Sequence, residues 1–444
     1  MRPFATKPSA FKWLYPGMKV KRWLLLLLLG TTVLSLGFAY SLREIYDVWA
    51  FPHVFYYLFL QFVPRWWRAL LFAVVGLTAV IVAVVQLNQS LLAAFLTPGR
   101  DNVVDIVYRH RFQKGRGPKI AALGGGTGLA TLLRGLKSYT SNISAIVTVA
   151  DDGGSSGRIR EELGMLPPGD FRSCIAALAD DESLVAQLFQ YRFGGEKELG
   201  GHSFGNLFIA AMAAVTGNFE RAILESSRVL AVSGRILPST LDNVILCAEV
   251  VDTGSSDKVV SLVQGESRIP SQNRVIGRVF LQPDGVRAYP GALRAILDAD
   301  LVVIGPGSLY TSVIPNLCID EIAKAIQVTP APKVYICNVA TQLGETEHFT
   351  VEDHIQAVQR YIGNTYLHVL INDNLSVDVP DQWSVDLVAR GETELQDDHV
   401  VAIYEADVID RNNPWRHDSL KLAERLIRIY ELLKANRANE RTVA

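Results

Sequence analysis

The chain reads as an α/β protein: a doubly wound, mainly parallel sheet with flanking helices, preceded by an N-terminal transmembrane helical hairpin. Three observations predict this. From Lys119 onward, short apolar runs alternate with helix-spaced runs, the pattern of parallel strands joined by helices. Two of those runs end in glycine-rich loops, Gly124-Gly125-Gly126-Thr127-Gly128 and Gly305-Pro306-Gly307-Ser308. The first hundred residues are far more apolar than the rest.

Residues 1–99 read as a membrane anchor. Arg2, Lys7, Lys12, Lys19, Lys21 and Arg22 precede Trp23–Leu42, which carries no charge; a membrane-crossing helix takes about 20 residues. Val48–Pro64 is apolar and aromatic but broken by Pro52, which suits an interfacial or re-entrant piece. Ala69–Gly99 is again uncharged, with Trp66 and Trp67 between Arg65 and Arg68 as a headgroup-level anchor. Basic residues return at Arg100, Arg109, Arg111, Lys114, Arg116 and Lys119. The positive-inside rule then puts both flanks on the cytoplasmic side. The expected location is an inner membrane, of plasma or thylakoid type, with both termini and the α/β domain cytoplasmic. Neither span holds Asp, Glu, Lys or Arg, groups that transport pathways usually carry, so a tether is favoured over a channel. A cleaved signal peptide is the competing reading of the first span; the second span argues against it. Residues 100–118 read as a basic linker, and 119–444 as the nucleotide-binding domain.

The 444 residues carry a formal net charge of -2, which gives nucleic acid no general attraction. Cys174, Cys247, Cys318 and Cys337 form no CxxC pair, so neither a zinc site nor a disulfide framework is indicated.

Strands are expected at Ile120–Leu123, Ile143–Val149, Val244–Val251, Leu301–Ile304, Val334–Asn338, Leu367–Ile371 and Val400–Val408. Helices are expected at Phe204–Thr216, Asn218–Leu230 and Val351–Tyr361. A closing amphipathic helix from Ser419 places Leu422, Leu426, Ile429 and Leu433 on one face, with Asp418 as its cap.

The candidate site residues fall at strand carboxyl ends, where such sheets bind ligands. Gly124, Gly125, Gly126, Thr127 and Gly128 can bring amides close to a phosphate, with a helix terminus behind them. Leu129 stands where the dinucleotide fingerprint needs glycine, and no Gly-Lys-Ser/Thr follows; an ordinary NAD or NTP motif is absent. Asp151 and Asp152 suit a ribose hydroxyl or Mg²⁺. Gly153, Gly154, Ser155, Ser156 and Arg158 continue as an anion-type loop. Asp170 reads either as a helix N-cap or as a site residue, and Arg172 either as a phosphate contact or as the partner of an acid. His202 and Asn206 lie in a glycine-flanked loop at a helix start. Arg235 follows Ser233-Gly234, either an anion-facing turn or a surface arginine after a helix cap. Gly305, Gly307, Ser308 and Asn338 close the set at two further strand ends.

Seven motifs appear in order: GGGTG, TVADDGGSSGRIR, PPGDFRSCIAALAD, GHSFGNLFIAA, SGRILPST, DLVVIGPGSLYTSVIPN and NVATQLGET. In this the chain, from about Pro118 onward, resembles the gluconeogenesis-factor (YvcK) family, within the 2-phospho-L-lactate transferase (CofD)-like superfamily. The resemblance implies a Rossmann-like domain that binds UDP-sugars such as UDP-N-acetylglucosamine. It also implies a role in cell shape and cell-wall homeostasis during gluconeogenic growth. The related transferases work with Mg²⁺; by their layout Gly124–Gly128 and Gly305–Ser308 face the nucleotide phosphates, Asp151 and Asp152 hold metal or the acceptor, and His202 and Asn206 border the cleft. The chain departs from the family in its membrane hairpin, and in Ala340 and Leu343 where methionine and proline are expected.

Two functions are therefore carried forward. One is a membrane-tethered, non-catalytic UDP-sugar sensor with a wall-synthesis or regulatory protein as partner, a homo-oligomer being left open. The other is a Mg²⁺-dependent transferase acting on a nucleotide-activated phospho-acid donor, with Asp151 or Asp152 as the catalytic candidates. No other cofactor is called for.

Overall fold

In the computed structural model the described residues are 20–48, 54–58, 60, 62–93, 117–179, 184–195, 199–252, 260–270, 274–377, 379, 385–391 and 399–443. The chain forms two compact units, Met1–Gln113 and Lys114–Ala444.

The first unit holds helices α1 (Val20–Val48), α2 (Val54–Leu58) and α3 (Arg65–Ala93). α1 and α3 are 29 residues each; α1 contains Trp23–Leu42, and α3 contains the uncharged stretch from Ala69 as far as Ala93, beyond which its end lies outside the described residues. Among the described residues, no single helix is long and apolar enough to cross a membrane. The turn before α3 is held by Leu60 N–H on Tyr57 O at 3.0 Å and Val63 N–H on Leu60 O at 2.9 Å. The expected linker lies outside the described residues except at Gly117 and Pro118.

The second unit runs β1 (Ile120–Gly124), α4 (Gly126–Leu136), β2 (Ile143–Val147), α5 (Gly154–Leu163), α6 (Gly169–Leu178), α7 (Leu184–Gln190), α8 (Phe204–Thr216), α9 (Phe219–Val229) and β3 (Arg235–Pro238). It continues through β4 (Ile245–Asp252), β5 (Val260–Gln264), β6 (Arg274–Gln282), α10 (Pro290–Leu297), β7 (Leu301–Ile304), a π-helical turn at Leu309–Val313, α11 (Ile314–Leu317), α12 (Asp320–Val328) and β8 (Lys333–Ile336). It closes with α13 (Val351–Ile362), β9 (Leu367–Asn372), β10 (Val400–Ala406), β11 (Ile409–Asp410), β12 (Asn413–His417) and α14 (Ser419–Val443).

Seven strands form one sheet, in the order β10-β9-β8-β7-β1-β2-β3, and every pairing is parallel. β1, β2 and β7 are buried along their whole length, because helices cover both faces. That burial is why these strands read as continuous apolar runs rather than alternating ones. α4 buries Leu129, Leu132, Leu133 and Leu136, the residues at helical spacing. α13 starts on a capping box: Thr350 accepts from Asp353 N–H while the Asp353 carboxylate accepts from Thr350 N–H at 2.8 Å. Asp418 caps α14, its Oδ1 accepting from Leu420 N–H at 2.8 Å and Lys421 N–H at 2.9 Å.

Two expectations are corrected. The strand expected at Val244–Val251 forms as β4 but not in the main sheet. It is the centre of a separate antiparallel sheet, β5-β4-β6. Apolar periodicity finds a strand without saying which sheet receives it. The stretch from Gly153 to Arg158 was expected as a loop; all but its first residue is the opening of α5, with Gly153 as the N-cap.

Candidate functional site

The strand order reverses at β1, which has β2 on one side and β7 on the other. Open α/β sheets bind ligands in the crevice at that switch point. Here a cleft of about 410 Å³ opens at the carboxyl ends of β1 and β7. Gly125, Gly126, Thr127 and Gly128 line it from the first strand, Gly307 and Ser308 from the second, and Asn338 from the end of β8. Gly124 and Gly305 lie just beneath, where Gly305 N–H donates to Leu123 O at 2.8 Å.

The two loops touch backbone to backbone. A Cβ on Gly128 would stand 2.7 Å from Gly307 Cα and 2.8 Å from both Gly307 N and Pro306 O. Gly126, at φ +61°, supplies the left-handed residue that turns the chain into α4. The N-cap of α4 is Gly125, which offers no side-chain acceptor. The positive end of that helix therefore suits an external anion.

The second loop rests on a buried acid. Glu345 Oε1 lies 2.5 Å from Ser308 Oγ and 2.9 Å from Thr311 Oγ1, and Oε2 accepts from Tyr310 N–H at 3.2 Å. Ser308 Oγ also lies 2.7 Å from Gln342 Oε1. Burial pushes the Glu345 carboxyl above the usual range, against those hydrogen bonds. Asp170 supports the first loop instead of capping its own helix. It receives a hydrogen bond from the Gly126 amide, and burial next to Asp151 pushes its carboxyl up to about 7.

Asp151 and Asp152 turn apart. Asp151 Oδ1 accepts from Gly153 N–H at 2.9 Å, while Asp152 Oδ1 accepts from Ser267 N–H at 2.8 Å, on the turn after β5. Burial raises the Asp151 pKa despite hydrogen bonds from Gly153 and Ser156. Among the described residues, no group of three or more His, Cys, Asp or Glu is placed to hold a metal ion. Two neighbouring carboxylates with phosphate oxygens and water remain the donor set that Mg²⁺ accepts.

Ser155, His202 and Asn206 meet, but away from the cleft lining. Ser155 Oγ is 3.0 Å from His202 Nδ1 and accepts from Asn206 Nδ2 at 3.0 Å. Burial lowers the His202 pKa, then Arg158, so a neutral imidazole accepting at Nδ1 fits. Arg158 donates to Gly200 O at 2.8 Å. These contacts fasten α5 to the start of α8. Arg172 donates to Ser173 Oγ at 3.3 Å and leaves a buried Nε without a partner; burial and Arg192 lower its pKa.

Arg235 is a correction. It opens β3, so it stands at the amino edge of the parallel sheet, opposite the cleft, and donates to Ser144 Oγ at 3.1 Å. Gly234 precedes and Pro238 ends a four-residue strand so short that its sequence reads as a turn.

The sequence reading missed Glu266, Gln342, Trp415, Arg416 and His417, all of which line the cleft. Gln342 sits inside the NVATQLGET motif, in which Asn338 is the sequence-predicted site residue. Trp415-Arg416-His417 ends β12, and His417 reaches back to Cys337 O with Nε2 at 3.1 Å. Burial holds that imidazole down to about 4. Glu266 begins the short turn after β5. No motif marks it.

Comparison with known proteins agrees with this architecture. The family model described as 2-phospho-L-lactate transferase CofD matches residues 120–431. A putative gluconeogenesis factor of Nostoc sp. is 46% identical over 359 residues, covering 80% of this chain and 77% of its own. The gluconeogenesis factor of Bacillus subtilis is 47% identical over 328 residues, 72% of this chain and 99% of its own. A putative gluconeogenesis factor of Clostridium acetobutylicum is 41% identical over 431 residues, 94% of this chain and 90% of its own. That last match necessarily takes in much of the first hundred residues, so the N-terminal region is not peculiar to this chain. A crystal structure of a UPF0052 family member from Bacillus halodurans is 42% identical with a TM-score of 0.64, covering 70% of this chain and 99% of its own.

Proposed function

The chain belongs to the CofD family, among relatives named gluconeogenesis factors, and we propose that it is a UDP-sugar-binding regulatory protein held at a membrane. The observation that carries the proposal is the cleft at the β1–β7 switch point, where two glycine loops meet a helix terminus. Backbone amides at such a loop suit a diphosphate without a lysine. Arg416 adds a cation at the cleft wall, and Trp415 an aromatic face. In this reading the ligand is bound and not turned over. Its occupancy is reported to a wall-synthesis or regulatory protein, and the cellular outcome is normal shape on gluconeogenic carbon. The uncharged stretches within α1 and α3 support the tether, with the α/β unit on the cytoplasmic side.

The deciding experiment is calorimetric titration of the purified chain with UDP-N-acetylglucosamine, GTP and NAD, each with and without Mg²⁺. Saturable binding of the UDP-sugar, recovered intact, is the expected result. Mg²⁺-dependent consumption of a guanine nucleotide, with no UDP-sugar binding, would replace this reading with the transferase that the family description suggests. For the tether, the chain should stay with membranes through alkaline carbonate washing and be released by detergent; release by carbonate alone would refute it.

A further inference from the structure

The small antiparallel sheet is attached to the main body in a way that puts one of its turns into the cleft. Gly265 N–H donates to Leu246 O at 2.8 Å, closing β5 onto β4, and the chain then turns through Glu266–Arg268. Asp152 holds that turn from the main sheet through Ser267 N–H. Glu266 thereby becomes part of the cleft lining. Its Oε2 atom is buried and has no hydrogen-bond partner. A buried carboxyl oxygen without a donor is costly, and every other carboxylate near the cleft has protein donors: Asp151 from Gly153, Asp152 from Ser267, Asp170 from Gly126 and Glu345 from Ser308 and Thr311.

We infer that Glu266 is the residue that reads the ligand beyond its phosphates, taking an N–H or O–H donor of the bound molecule. The cleft thus selects glycosylated or otherwise donor-bearing diphosphates over a bare nucleoside diphosphate. The inference rests on the UDP-sugar reading above and adds to it a recognition group from an element outside the main sheet. Phosphate is an unsuitable neighbour for this side chain: Asp151, Asp170, Asp152 and Glu345 all surround it with negative potential. A sugar hydroxyl or amide N–H carries no charge and supplies the missing donor. Burial, with those four acids, holds the Glu266 carboxyl well above its ordinary range. A neutral amide of the same shape should therefore serve in its place.

The test is titration of the full-length chain and its Glu266→Ala and Glu266→Gln variants with UDP-N-acetylglucosamine and with UDP. Glu266→Ala should weaken the UDP-sugar about tenfold or more, the scale of one buried hydrogen bond, and leave UDP affinity equal or improved. Glu266→Gln should keep most of the UDP-sugar affinity. Equal losses for both ligands in Glu266→Ala, or no loss for either, would overturn the role of Glu266 alone. Failure of the unaltered chain to bind the UDP-sugar would sink the parent reading and this inference with it. Circular dichroism melting of the variants separates these outcomes from misfolding, since a turn residue on the small sheet should not shift the main transition.

Discussion

The backbone contact between the two glycine loops gives the sharpest prediction. Gly128→Ala adds one methyl at the point where the β1 loop meets the β7 loop. That carbon would start 2.7 Å from Gly307 Cα and 2.8 Å from Pro306 O, all backbone atoms that no rotamer change can move. Van der Waals contact between carbons needs about 3.5 Å, so the loops must part by roughly 0.8 Å. Overpacking of this kind costs about 1–3 kcal/mol. The displaced amides also lose their fit to a diphosphate, so UDP-sugar affinity should fall at least about tenfold. Gly194, where an added Cβ meets nothing within 4 Å, is the control, and Gly194→Ala should stay within about 0.5 kcal/mol of the parent. Urea titration followed by tyrosine and tryptophan fluorescence reads the first effect, and calorimetry the second. If Gly128→Ala kept both the urea midpoint and the ligand affinity, the two loops would not be in the contact described, and the switch-point argument would lose its geometric basis.

Arg416→Ala should weaken UDP-sugar binding about tenfold while moving the urea midpoint little, since the side chain is exposed; equal affinity would remove it from the site. Thr350→Ala breaks the capping box of α13 and should cost about 1 kcal/mol in the same unfolding assay. His417 is buried with its pKa held down to about 4 against 6.5 when free. The folded state therefore binds fewer protons, and the stability it contributes is present above pH 6.5 and lost as pH falls toward 4. His417→Asn should flatten stability over that window by roughly 3 kcal/mol in total; parallel pH profiles for parent and variant would refute the buried neutral imidazole.

The main sheet was legible because its central strands are buried on both faces, and Ile120–Leu123 and Leu301–Ile304 advertise this as unbroken apolar runs. The two glycine loops were legible for a related reason: parallel strands put all their carboxyl ends on one edge. Of what escaped, two residues show why. Arg235 looks like the anion-facing residues around it in sequence, yet it begins its strand instead of following it, and that reversal sends it to the far edge. Glu266 has the opposite problem. Nothing local distinguishes it, because its place in the cleft is made by β4–β6 folding back over a strand end 115 residues earlier in the chain, at Asp152. Ser155 lies in one motif and His202 and Asn206 in another; their mutual hydrogen bonds bring the three together between α5 and α8, and none of them lines the opening.

The charge layout of the cleft bears on which ligands it can serve. In the proposed reading, phosphate recognition rests on amides and a helix end, with Arg416 as the arginine in the lining, while the flank beyond β2 carries Asp151, Asp152 and Asp170. A nucleoside triphosphate brings more negative charge than one arginine and a helix terminus offset, and it would extend toward those acids. In the proposed reading a diphosphate whose far end is an uncharged sugar puts its anions at the amides and a neutral group toward the acidic flank. Mg²⁺ held by Asp151 and Asp152 is the alternative. The two cases make opposite demands on Asp151. If a sugar satisfies the flank, Asp151→Asn should leave ligand affinity nearly unchanged and independent of Mg²⁺. If metal does, the substitution should abolish a Mg²⁺-dependent part of the affinity. Titrating Asp151→Asn with UDP-N-acetylglucosamine, with and without the ion, therefore decides whether metal takes part in binding at this flank without needing a reaction to be found first.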